Sequence, residues 1–124
     1  MSTPQLRAIE VGVVFLVIFL SGLWLNRTGK PFNGILLNVH KLIALGTGIF
    51  LIVIIYWIGQ AGGLSTVEWA AVIVTGVLFL ATGIFGGLAS IDRPMPTAIV
   101  ILHRVMPFLT ALATALTLYL LLNR

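Results

Sequence analysis

Two histidines, His40 and His103, are the only imidazoles among 124 residues, and the chain has no cysteine. Imidazole nitrogens ligate metals and exchange protons near neutral pH. Lacking thiols, the chain can form no disulfide, thiolate metal site, iron–sulfur cluster or C-x-x-C-H attachment of c-type haem. Each histidine is followed directly by a cation, Lys41 and Arg104. The other charges are scattered: Arg7, Arg27, Lys30, Arg93 and Arg124 against Glu10, Glu68 and Asp92. Basic residues spread singly in this way form no nucleic-acid patch, so no nucleic-acid partner is expected.

The elements that must position these residues are apolar. Of the residues, 60% are hydrophobic and only 8% charged, with a mean hydropathy of +1.17, which excludes an ordinary soluble domain. Four apolar runs, Ala8 to Leu25, Gly34 to Ile58, Trp69 to Ile91 and Thr97 to Leu122, each approach or exceed the length of about 20 residues that a spanning helix needs. Lipid offers backbone groups no partners, and none of the runs alternates like a barrel strand, so helices are predicted. The expected fold class is all-α: one domain over 1–124, an up-down bundle of four transmembrane helices made of two parallel helical-hairpin repeats, about 6–58 and 67–122.

The punctuation agrees with four helices. Thr3-Pro4 reads as an N-cap followed by proline at the first helical position, and Ser65 to Glu68 as a capping box. Asn26 to Pro31 forms the first turn, Gly59, Gly62 and Gly63 close helix 2, and Asp92 to Pro96 forms the third turn. With no basic start or small-residue cleavage site, helix 1 is read as retained rather than as a signal peptide. Arg27, Lys30 and Arg93 border one side, joined by Lys41 and Arg104 if those snorkel, against Arg7 and Arg124 on the other. That bias places both termini outside the cytoplasm of a prokaryotic plasma membrane.

Aligning Lys30-Pro31 with Arg93-Pro94 brings His40 onto His103, Lys41 onto Arg104, Thr47 onto Thr110 and Tyr56 onto Tyr119. In a four-helix chain with short turns, helices 2 and 4 run in the same direction, so the repeat is parallel and the imidazoles should reach one depth. Thr47 and Thr110 lie two turns beyond the histidines on nearly the same face. On the preceding helices, Ser21-Gly22 and Thr82-Gly83, then Gly86-Gly87, are small enough to admit a flat ligand or, more commonly, close helix packing.

An ionisable side chain inside a span marks a site, and each histidine is the other's natural partner. Two imidazoles on facing helices make the axial pair of a haem iron. Without cysteine attachment this would be a single b-type haem, with His40 and His103 as metal ligands. Its propionates would need cations, for which Lys41 and Arg104 stand ready beside Arg27, Lys30 and Arg93. Thr47, Thr110, Gly22 and Gly83 complete the candidate cofactor site. The simpler alternative leaves both histidines bonded to carbonyls near the interface, with their basic neighbours snorkelling. Zinc would need more ligands than this depth supplies. Met106, three residues after His103 on the same helix, cannot oppose it. Pro107 removes the hydrogen bond to the His103 carbonyl and predicts a kink.

With Asn38-Val39-His40-Lys41 and Ile101-Leu102-His103-Arg104 set in a four-helix frame, the chain resembles the small transmembrane b-type cytochromes, the cytochrome b561-like proteins and cytochrome b subunits. The resemblance implies haem b ligated by His40 and His103. Many members of those families carry four histidines and two haems, whereas two histidines serve one. With both axial positions filled, the implied role is electron exchange with a quinone or a partner redox subunit, within an oligomer or larger complex in the lipid bilayer, rather than stand-alone enzymology. The competing class is a cofactor-free membrane protein, either a structural subunit or a compact transporter similar to the small multidrug-resistance proteins, which also bear a glutamate in helix 1. Here that residue is Glu10, placed beside Arg7 at the border of the span.

Overall fold

The computed structural model describes residues 2–91 and 93–124; Asp92, assigned above to the third turn, lies outside them. The chain is all-α, with α1 at Thr3–Thr28, α2 at Gly34–Gln60, α3 at Thr66–Ala89 and α4 at Thr97–Leu122, and no strand among the described residues. All four helices are long and apolar enough to cross a bilayer, which marks an integral membrane protein. The chain divides into two compact units, Met1–Trp57 and Ile58–Arg124, each built around one connected pair of helices.

In the first unit, α1 begins earlier than its apolar run. Ser2, rather than Thr3, is the N-cap: its hydroxyl accepts from the Gln5 N–H while the Gln5 side chain accepts from the Ser2 N–H, and Pro4 falls within the first turn. Polar residues at both ends thus extend the helix beyond what apolarity delimits. Gly29, at φ 68°, caps its C-terminus in a conformation costly for other residues, and its N–H bonds the Leu25 carbonyl. Arg7 and Glu10 pair at 2.8 Å near the start of α1, as expected for residues at the border of the span.

In the second unit, the expected capping box of Ser65 and Glu68 opens α3. Of the three glycines expected to close α2, Gly59 remains helical, while Gly62 and Gly63, both at positive φ, form the turn after Gln60. A glycine inside a helix is tolerated, and the Gly59 carbonyl still accepts the Gly63 N–H at 2.8 Å. Buried Glu68 also faces Arg124, whose guanidinium donates to the Gly63 carbonyl. The α4 helix is continuous through Pro107.

Threonines join α3 to α4. Thr75 and Thr117 share a 2.8 Å hydroxyl contact, Thr117 also donates to the Ala71 carbonyl, and Thr82 meets Thr110 at 2.8 Å. The rise in α4 numbering as α3 numbering falls makes the pair antiparallel. Interhelical hydroxyl bonds in membranes average about 0.6 kcal/mol, reaching roughly 1.7. Thr117→Val and Thr75→Val should each destabilise the detergent-solubilised protein by about that amount, with the double variant costing less than the sum. Additive losses in denaturant titrations would show that the two hydroxyls do not act as a pair.

Candidate functional site

His40 and His103 stand at equivalent places in their own helices: each lies six residues after the first residue of its helix, Gly34 or Thr97, roughly 9 Å along the axis. Both side chains are half-buried. The register that pairs them also pairs Thr47 with Thr110, each 2% exposed and each donating to the carbonyl four residues earlier, Ile43 or Met106.

In the first unit, His40 Nδ1 lies 2.7 Å from the Ser21 hydroxyl. That hydroxyl has one hydrogen, and the Ile18 carbonyl lies 2.9 Å away as its acceptor. Both contacts are satisfied together when Ser21 donates to Ile18 and accepts from Nδ1–H, making Nε2 the lone-pair nitrogen. The neighbouring Gly22 lets the ring come close, since a Cβ there would lie 3.1 Å from His40 Cε1.

In the second unit, His103 Nδ1 lies 3.2 Å from the Thr82 carbonyl. A carbonyl only accepts, so this bond puts the hydrogen on Nδ1 and the lone pair on Nε2. Gly86 carries the ring: a Cβ at that position would come within 2.6 Å of His103 Cε1. The Thr82 hydroxyl meanwhile reaches Thr110, tying the acceptor turn of α3 to the buried face of α4.

Comparison with protein-family models, curated proteins and solved structures yields no match. The residues must therefore be read on their own chemistry.

The structure gathers Ser21, Gly22 and His40 in one unit and Thr82, Gly86, His103 and Thr110 in the other. Gly83 is exposed, with no atom within 4 Å of where its Cβ would stand, so Gly86 holds the place on α3 that Gly22 holds on α1. Beside these two rings, the glycines serve close packing. Lys41 and Arg104 are exposed. In the sequence Ser21 and Thr82 stand out only as small residues, not as the partners of the two Nδ1 atoms. The Ser21 hydroxyl is visible as a residue type; the Thr82 carbonyl is not, because nearly every residue in a helix presents the same group.

Among the described residues, no three His, Asp or Glu side chains cluster as a self-sufficient metal site. A haem iron asks less of the protein, since the macrocycle supplies the equatorial nitrogens and the chain only the axial ligands. At each histidine Nδ1–H has an acceptor on the preceding helix, the Ser21 hydroxyl oxygen when that hydroxyl points to Ile18 and the Thr82 carbonyl, and ligating histidines use such an outer acceptor to orient the ring and raise basicity. The residues present fit that group.

Proposed function

We propose that the protein is a small membrane b-type cytochrome in which His40 and His103 would hold one haem b. The observation that carries this reading is that the chain's two histidines sit at equivalent helical positions, each with Nδ1 within hydrogen-bond distance of the preceding helix, a contact that leaves the lone pair on Nε2 when Nδ1 donates. The haem, when bound, supplies a reversible one-electron couple. The protein's own residues do the rest. Ser21 and the Thr82 carbonyl hold the ligand tautomer, Gly22 and Gly86 admit the imidazoles against their neighbouring helices, and the apolar spans keep the site dry. Exposed Lys41 and Arg104, each one residue from a ligand, are the cations for the propionates. Two histidine ligands would suit electron exchange with a quinone or a partner redox subunit in the bilayer rather than substrate chemistry. The charge bias places this exchange on the side of the α1–α2 and α3–α4 connections, with the termini outside the cytoplasm of a prokaryotic cell.

The decisive measurement is the absorption spectrum of the protein purified in detergent from haem-sufficient cells, oxidised and then reduced with dithionite. A low-spin, six-coordinate haem b spectrum at about one haem per chain is expected. A colourless preparation would overturn the assignment and leave the cofactor-free classes.

A further inference from the structure

We infer that Ser21 is a positioning residue that selects the ligating nitrogen of His40 by the direction of its single hydroxyl hydrogen, making His40 the histidine that can switch tautomer and His103 the one that cannot. The Ser21 oxygen lies 2.9 Å from the Ile18 carbonyl and 2.7 Å from His40 Nδ1, and it has one hydrogen for two acceptors. With the hydrogen on Ile18, Nδ1–H donates to Ser21 and Nε2 carries the lone pair. With the hydroxyl turned toward Nδ1, that nitrogen is the acceptor, the imidazole hydrogen resides on Nε2, and Nε2 is no longer a ligand. The two arrangements differ by a rotation of the Ser21 hydroxyl and by the seat of one imidazole proton, which Nδ1 gives up to water while Nε2 takes one from water at this half-buried ring; the backbone need not move.

At His103 the corresponding acceptor is the Thr82 carbonyl, 3.2 Å away, which has no hydrogen to turn. The two histidines, equivalent by position, are therefore chemically unequal. The difference lies in the preceding helix: a side-chain hydroxyl beside Gly22 in α1, a backbone oxygen one turn before Gly86 in α3. The tautomer assignment is argued from the Ser21 contacts with Ile18 and His40 and from the Thr82 contact with His103; its consequence for haem rests on the cytochrome reading.

The test uses the full chain, 15N-labelled at histidine, purified without haem in detergent and observed by NMR, whose ring-nitrogen shifts report which nitrogen bears the hydrogen. The His40→Gln variant assigns the two rings. In the wild type, both rings should be predominantly Nδ1–H. Ser21→Ala should move His40 to a mixture or to Nε2–H and leave His103 unchanged, and Ser21→Thr should restore the wild-type pattern because it keeps the hydroxyl. An unchanged His40 in Ser21→Ala, a wild-type His40 already protonated on Nε2, or an equal disturbance of His103 would each overturn the inference. In haem titrations, Ser21→Ala should bind about 10- to 100-fold more weakly, the usual cost of losing a ligand's outer partner, with Ser21→Thr near wild type. A wild type that takes up no haem would defeat the cytochrome reading, while the ring-nitrogen shifts would still decide the role of Ser21.

Discussion

His103→Ala, expressed in haem-sufficient cells, is expected to lose the six-coordinate spectrum of the wild type, giving either a colourless protein or a five-coordinate haem that binds carbon monoxide. His40→Ala should do the same. The effect should be large: loss of an outer hydrogen-bond partner alone costs about 10- to 100-fold in metal affinity, and these substitutions remove the ligating nitrogen itself. Folding is not the obstacle, since alanine favours helix and each histidine is only half-buried. Circular dichroism of both variants should match the wild type. The carbon monoxide readout separates a vacated axial position from a general loss of binding. Two variants with wild-type spectra would place the ligands elsewhere and remove the basis for the assignment.

The helices were legible because lipid makes them so. A backbone that cannot bond to its solvent must bond to itself, and the starts of α2 and α4 at Gly34 and Thr97 follow directly from the apolar runs. The start of α1 was less legible. Ser2, Gln5 and the polar residues through Arg7 extend the helix by capping, which hydropathy does not register. The equivalence of His40 and His103 was legible for a different reason: Lys30-Pro31 and Arg93-Pro94 fix two similar connections, and counting from them gives equal offsets along two helices.

What counting could not give was rotation. Along α3, Gly83, Gly86 and Gly87 all lie near the height of His103, and distance from a turn does not say which faces α4. That face is set by Thr75 and Thr82, whose hydroxyls meet Thr117 and Thr110. Continuing their spacing of seven by four more residues reaches Gly86, not Gly83. The threonines of α3 and α4 were thus the unused signal in the sequence: matched hydroxyls on consecutive antiparallel helices report which faces meet.

The glycines turn that lesson into an expected ranking. Gly86→Ala should be the most damaging of three alanine substitutions, Gly22→Ala milder and Gly83→Ala near neutral. At 2.6 Å from His103 Cε1, a new methyl at residue 86 forces movement. The ring could yield by giving up its bond to Thr82, or α3 and α4 could separate and stretch the Thr82–Thr110 and Thr75–Thr117 contacts. Overpacking of this kind costs about 1–3 kcal/mol. At residue 22 the contact would be 3.1 Å, which a shift of a few tenths of an ångström relieves, whereas at residue 83 no atom lies within 4 Å. There alanine's better helix propensity, worth up to about 1 kcal/mol over glycine, offsets any loss. Denaturant titration in detergent measures stability, and the histidine ring-nitrogen shifts show whether His103 has left Thr82. Equal damage from Gly83→Ala and Gly86→Ala would mean that α3 presents a different face to α4, and the placement of His103 against Gly86 would fall with it.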